Sequence, residues 1–329
     1  MFTKKGLVIE YVRKYPETPS LTLAKLIYRE NSKMFNSVES VRLIVREIRG
    51  QKGNRDRKKA VIELKTAPGS VDPFDALPEG IKSFGEWDSY PIPDKRTLCL
   101  FDLHAPYHDK PAITAALKYA KAEGVDSILI QEGFDFYQLS TFEKDPRRRH
   151  TGEEVQILND ILHFIKDYIK PTNFYYQRGN HCDRWDRYLK VKAPELLGVR
   201  DYGFANLFDA SLGIKLTPDR KIVKFGKLNC VHGHEFGGSM IEPVSPARGL
   251  FMRGGECSIA GHWHRTSNHS ARTMTDNIVS CWTLGCLCEL HPEYRPINNW
   301  NHGFAIVEQF DEDQFIVHNK RIINGKVYS

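Results

Sequence analysis

The chain has 329 residues, 41% hydrophobic and 27% charged, a globular composition with enough length for one large core and a small second domain. Its formal charge of +6 is unevenly placed: residues 1–60 carry 15 Lys+Arg against 6 Asp+Glu, a net of +9, and the rest nets −3. The 7 cysteines follow no small-domain spacing and exclude a disulfide framework; the N-terminus lacks an apolar signal core and no apolar run nears the ~18 residues of a membrane span, so a cytoplasmic protein with no membrane partner is expected.

The first fifty residues read as three short helices. Val8, Ile9, Tyr11 and Val12 give an apolar face before Pro16 interrupts it. Ser20 is a candidate cap for a second helix with Leu21, Leu23, Leu26 and Ile27 inside. Asn36 or Ser37 caps a third, where Val38, Val41, Ile44, Val45 and Ile48 recur at helical spacing. That helix presents Arg42, Arg46 and Arg49 and runs through Lys52 into a basic stretch ending at Lys59. The pattern suggests a basic, helix-turn-helix-like module over residues 1–60 that binds DNA through Arg42, Arg46, Arg49 and Lys52. A helical cap docked on the main domain is the alternative. Residues 61–94, rich in Pro and Gly, read as a linker.

From residue 95 to the end the pattern alternates. Thr97–Phe101 is a buried strand, followed by a helix from Pro111 to a stop at Gly124. Ser127–Ile130 is a strand, Glu153–Lys170 a helix and Asn173–Tyr176 a strand. Later strands fall at Leu228–Val231, Ser258–Ala260, Ile278–Trp282, Phe304–Glu308 and Phe315–His318, with a hairpin turn at Asn324-Gly325. Strand-helix-strand units followed by consecutive strands imply a mixed α/β sandwich over residues 95–329.

Five strand ends are each followed by metal-type ligands. They are Asp102-Leu103-His104, Gln131-Glu132-Gly133-Phe134-Asp135, Gly179-Asn180-His181-Cys182-Asp183, His232-Gly233-His234 and Gly261-His262-Trp263-His264. Strand carboxyl ends line the ligand crevice of open α/β sheets, so the five can converge on one site. Each cluster alone reads equally well as a turn or a surface histidine pair. Their order, each after an apolar strand, makes chance a poor explanation.

This order resembles the calcineurin-like metallophosphoesterase superfamily, whose pattern is Asp-x-His, Gly-Asp-x-x-Asp, Gly-Asn-His-Asp/Glu, His and Gly-His-x-His; the resemblance covers about residues 95–310. The chain is more narrowly similar to calcineurin-like phosphoesterases of tailed phages and prophages. Asp135–Ser140, Val231–Phe236, Gly285–Cys288, His291–Tyr294 and Trp300–Gly303 carry that similarity. The resemblance implies two mixed β-sheets flanked by helices. It also implies that Asp102, His104 and His264 hold one divalent ion and Asn180, His232 and His262 the other, with His181 meeting the substrate. His234 is the rival to His232, which is preferred because it comes first after the strand.

One motif departs from the family pattern. Glu132 stands where a bridging Asp is expected, one methylene longer, with Asp135 as the second acid. Glu132 is preferred as the bridge; a small shift would let Asp135 bridge instead, and a weakened second site is the third reading. If Asp135 is not a ligand, it can orient His181. Cys182 takes the place of the family's fourth residue in Gly-Asn-His-Asp/Glu.

Imidazole and carboxylate donors suit two Mn²⁺ ions first, with Fe, Zn, Co or Ni as alternatives. Two such ions would neutralise a phosphodiester and activate a water between them. No cysteine fills a ligand position; Cys286 and Cys288 could form a metal pair but read better as two small buried residues. Arg147-Arg148-Arg149, Arg178, Arg184 and Arg265 are candidates to grip phosphates, and Trp263 to stack on a base or wall the site. The expected function is a DNA-directed phosphodiesterase or nuclease. The alternatives are a phosphomonoesterase or nucleotide phosphatase acting on a small or protein substrate, and a DNA-binding protein with a degenerate metal site.

Overall fold

The computed structural model describes residues 3–52, 77–82, 87–145, 147, 150–236, 244–311 and 314–328. Most of the expected linker, the basic stretch 53–59, and Arg148 and Arg149 lie outside the described residues. The chain divides into two compact units, Met1–Ser83 and Phe84–Ser329.

The first unit holds α1 (Lys4–Lys14), α2 (Ser20–Glu30) and α3 (Val38–Ile48). Val8, Val12, Leu23, Ala24, Ile27, Phe35, Val41, Val45 and Ile48 form its core. Helix α3 starts in a capping box between Ser37 and Ser40, which satisfies two backbone donors reciprocally. Ser20 does not cap α2: Pro19 holds the cap position, and the Ser20 hydroxyl donates to Gln51.

Arg49 departs from expectation. Its guanidinium donates to the carbonyls of Tyr15, Pro16 and Thr18, and so ties the end of α3 to the α1–α2 turn. An arginine committed to three backbone acceptors is a structural clamp, so its assignment as a DNA contact is withdrawn. Arg42 pairs with Glu39 at 3.3 Å, Arg46 makes a long contact to the Gln51 carbonyl at 3.5 Å, and Lys52 is exposed.

The second unit is two mixed sheets. In the first, β2 (Arg96–Phe101), β3 (Ser127–Gln131), β4 (Asn173–Gln177) and β5 (Lys215–Leu216) run parallel, while β11 (His302–Asp311), β12 (Gln314–Ile323) and β13 (Lys326–Tyr328) complete it antiparallel. In the second, β7 (Leu228–Val231), β8 (Ser258–Ala260) and β10 (Ile278–Thr283) are parallel neighbours. The short strands β1 (Tyr90–Pro91) and β6 (Val223–Phe225) lie on one side and β9 (Ser267–Arg272) on the other. The strand orders are β13-β12-β11-β2-β3-β4-β5 and β1-β6-β7-β8-β10-β9.

The period of two along a strand sorts the core into layers. Leu98, Leu100, Ile128, Ile130, Phe174, Tyr176, Phe304 and Ile306 face α4 (Lys110–Ala122) and α5 (Thr151–Ile169). The intervening Cys99, Phe101, Leu129, Tyr175, Ala305 and Val307 meet Val223, Phe225, Leu228, Cys230 and Ile259 between the sheets. On the far side Val231, Ala260, Val279 and Cys281 pack under α7 (Pro246–Gly254). The layers therefore run helix, sheet, sheet, helix. Burying each large aliphatic chain contributes about 1.5–3 kcal/mol, so this continuous alternation sets the register strongly. Among the described residues no helix is long and apolar enough to cross a membrane.

Candidate metal centre

The parallel strands β2, β3 and β4 end together, as do β7 and β8, and the five ligand-bearing motifs follow those ends. The backbone there is unusual. Asp102, His104, Glu132, His262 and His264 all have positive φ, at 56°, 46°, 54°, 68° and 55°. Such conformations cost L-residues about 1–3 kcal/mol and persist where the surroundings over-determine them, as at functional sites. Two glycines make room: a Cβ on Gly261 would stand 2.6 Å from Asp102 Oδ2, and one on Gly179 would collide with the Glu132 carboxylate.

The side chains gather in two clusters. In the first, Asp102 Oδ1 lies 3.7 Å from both His104 Nε2 and His264 Nε2, and the two nitrogens stand 3.1 Å apart. Asp102 is fully buried, and its Oδ1 has no hydrogen-bond partner among the described residues; Oδ2 accepts from the His262 N–H at 2.9 Å. Donors bonded at about 2.1 Å to one ion sit roughly 3.0–3.4 Å from each other; the two imidazole nitrogens meet that spacing at 3.1 Å, the two carboxylate separations are somewhat longer, and the buried carboxylate oxygen supplies the charge a divalent cation would need. In the second cluster, Asn180 Oδ1 is 2.9 Å from His232 Nε2 and 3.0 Å from His262 Nδ1. His234 stands aside, its ring centroid 5.2 Å from that of His232 and 6.3 Å from that of His262. The clusters adjoin: His232 Nδ1 is 3.9 Å from Asp102 Oδ1.

Glu132 is fully buried and engaged at the start of α6 (Asp183–Lys192). Its Oε2 accepts from the His181 N–H at 2.7 Å, and Oε1 from the N–H and thiol of Cys182, both at 2.9 Å. Oε2 also lies 3.4 Å from His232 Nε2, and this is the oxygen a bridging role would use. Asp135 Oδ1 is 3.0 Å from His181 Nδ1 and 3.5 Å from His104 Nδ1, so it borders both a candidate ligand and the candidate substrate histidine.

The electrostatics follow from these neighbours. Burial would raise the Asp102 carboxyl, but His264, His104 and His232 outweigh it and hold it well below the usual range. Burial opposes charge on His104, yet Asp102 and Asp135 push it up to about 10. The same acidic surroundings that draw a proton there would draw a metal ion. Burial takes His262 down to about 4 and His232 well below the usual value, leaving both neutral and able to donate a lone pair. Burial raises the Glu132 carboxyl. His, carboxylate and amide donors together suit Mn, Fe, Zn or Co better than Mg or Ca.

Other side chains close around the ligand residues. Cys288 Sγ stands 3.9 Å from His264 Nδ1, the ring nitrogen turned away from Asp102, so a thiol does reach the centre's edge. Trp300 packs edge-on against His264, with centroids 4.1 Å apart. The segment Trp300-Asn301-His302 is fastened to the ligand loop: the Asn301 N–H donates to the His264 carbonyl, and the Thr266 N–H to Asn301 Oδ1. A Cβ on Gly285 would strike the Asn301 backbone, which explains a glycine there. Trp263 lies over Gly233 and forms a wall beside His262. Of the candidate phosphate-gripping arginines, Arg178 pairs with Asp183 at 3.2 Å and Asp186 at 2.8 Å, and Arg147 pairs with Asp145 at 2.9 Å.

No family model and no curated protein matches the sequence. Solved structures of similar shape include a single mutant of Vps29 from Entamoeba histolytica, at 11% identity and a TM-score of 0.36, covering 71% of this chain and 96% of that one. Vacuolar Protein Sorting 29 from Cryptosporidium parvum matches at 12% identity and a TM-score of 0.39, covering 72% and 96%. Chaetomium thermophilum Vps29 matches at 11% identity and a TM-score of 0.34, covering 71% and 95%. At that distance the functional argument rests on the side chains above.

Proposed function

We propose that this chain is a metal-dependent phosphoester hydrolase. The observation that carries the reading is the buried Asp102 Oδ1, without a hydrogen-bond partner among the described residues and flanked by two imidazole nitrogens at 3.7 Å, beside a second histidine cluster. Asp102, His104 and His264 would hold one ion and Asn180, His232 and His262 the other, Mn²⁺ being the first choice. Bound there, the pair would neutralise phosphoryl charge and make a water nucleophilic near neutral pH. The chain's own part is to fix the donors on a strained, crowded backbone. Asp135 orients both His104 and His181, and Trp263 and Trp300 wall off the ligand imidazoles. Hydrolysis of bis-p-nitrophenyl phosphate with added Mn²⁺, alongside a count of bound metal, tests this. Two bound ions without diester cleavage would redirect the reading to a monoester or nucleotide. A count well below two would favour a DNA-binding protein with a decayed centre.

The finer reading is a nuclease of the cytoplasm acting on DNA. It is supported by the net +9 of residues 1–60 and by a three-helix unit whose last helix carries Arg42 and Arg46. Replacing both with Ala should weaken DNA binding and flatten its salt dependence by about two phosphate contacts, while small-ester hydrolysis stays intact. Unchanged DNA affinity would remove DNA from the proposal.

A further inference from the structure

The hydrogen bonds around His181 carry an inference that rests on the phosphoester reading for its ligand class. A guanidinium can only donate. Arg184 Nη2 stands 3.0 Å from His181 Nε2, so that nitrogen accepts. The ring proton is therefore on Nδ1, which donates to Asp135 Oδ1 at 3.0 Å and approaches the Asp135 carbonyl at 3.1 Å. Arg184 Nη1 donates to the same carbonyl at 2.7 Å. Asp135 thus anchors both side chains, and the two hold each other. In this arrangement His181 Nε2 has no proton to give a leaving group.

The cation at this position is Arg184. It sits in the first turn of α6, 13% exposed, next to a histidine whose ring centroid is 4.4 Å from that of His104. Among the described residues the carboxylate it approaches is Asp135 Oδ2, at 3.9 Å, a longer separation than that of Arg178 from Asp183 or Asp186. Two of its five N–H donors hold it in place, and among the described residues the other three have no hydrogen-bond partner. We propose that Arg184 is the residue that binds the phosphoryl oxygens of the substrate, with His181 as its positioning residue rather than a proton donor. The site takes a phosphate oxyanion beside the His104 cluster, held by the planar fork that suits such oxygens.

The test uses the full chain loaded with Zn²⁺ and titrated calorimetrically with inorganic phosphate. Arg184→Ala should weaken phosphate binding about tenfold or more, with metal content unchanged. Arg184→Lys should recover part of it, and Arg272→Ala, on the surface, should change nothing. In ¹⁵N-histidine spectra the His181 signal, assigned by its loss in His181→Ala, should show the proton on Nδ1. Phosphate affinity within twofold of wild type in Arg184→Ala, a proton on His181 Nε2, or no phosphate binding by the wild type would each overturn the proposal. Phosphate bound through Arg184 without ester cleavage would instead sink the hydrolase reading and leave this one standing.

Discussion

The two ligand clusters adjoin but are built on different electrostatics. Around Asp102, a buried carboxylate oxygen has no hydrogen-bond partner among the described residues, and acidic neighbours overcome burial to push His104 up to about 10. Around Asn180, a neutral amide oxygen already lies within hydrogen-bonding distance of two imidazole nitrogens, and burial brings His262 down to about 4. A buried charge needs a cation more than a satisfied amide does. The first cluster should therefore fill first and hold its ion more tightly.

The largest expected effect tests that order directly. Asp102→Asn should lose the first ion and cut turnover on the order of 10³-fold, the scale of several kcal/mol of charge stabilisation. Metal analysis showing that the second cluster empties first would invert the comparison. His181→Ala should lower turnover by about 10²-fold through misplacement of Arg184, with both ions retained, because His181 borders the first cluster without belonging to it. Loss of metal in that variant would redraw the cluster's boundary.

Acidity separates the clusters next. Protonated His104 is the dominant form below about pH 10, and an ion must displace that proton. Affinity at the first cluster should therefore rise with pH, about tenfold per unit across the neutral range, with one proton released per ion. Above about pH 4, His262 is already neutral, so the second cluster should be flat from about pH 5 to 8. Calorimetry in buffers of different ionisation enthalpy reads both, and proton release by the second ion alone would contradict the assignment. The smallest effect is a gain: Asn180→Asp should strengthen the second ion's binding by roughly tenfold by placing a charge there. No gain would mean that Asn180 is not a donor to that ion.

Much of the architecture was legible because strand and helix periods differ. Alternating residues in Leu98–Phe101 and Ile128–Ile130 sort to opposite faces of their sheet. Helix α6 was not legible: six of its ten residues are charged, and of Trp185, Tyr188, Leu189 and Val191 only Leu189 is buried. Strand β9, Ser-Asn-His-Ser-Ala-Arg, alternates in burial without a large apolar residue and is held by pairing with β10. Arg49 read as a basic helix-end residue, and the carbonyls that claim it lie more than thirty positions earlier.

By itself the sequence determined which residue types stand after which strands: histidines, carboxylates and an amide follow five apolar strands. Only the tertiary structure decided what each atom faces. Glu132 meets backbone N–H groups about fifty residues away, Asp102 meets His262 and His264 about 160 residues away, and Arg178 rather than Arg184 is the one closely paired with carboxylates. The physical reason is range: residue spacing fixes the local period, whereas hydrogen-bond direction and charge pairing depend on distances that exist only once the sheets have packed.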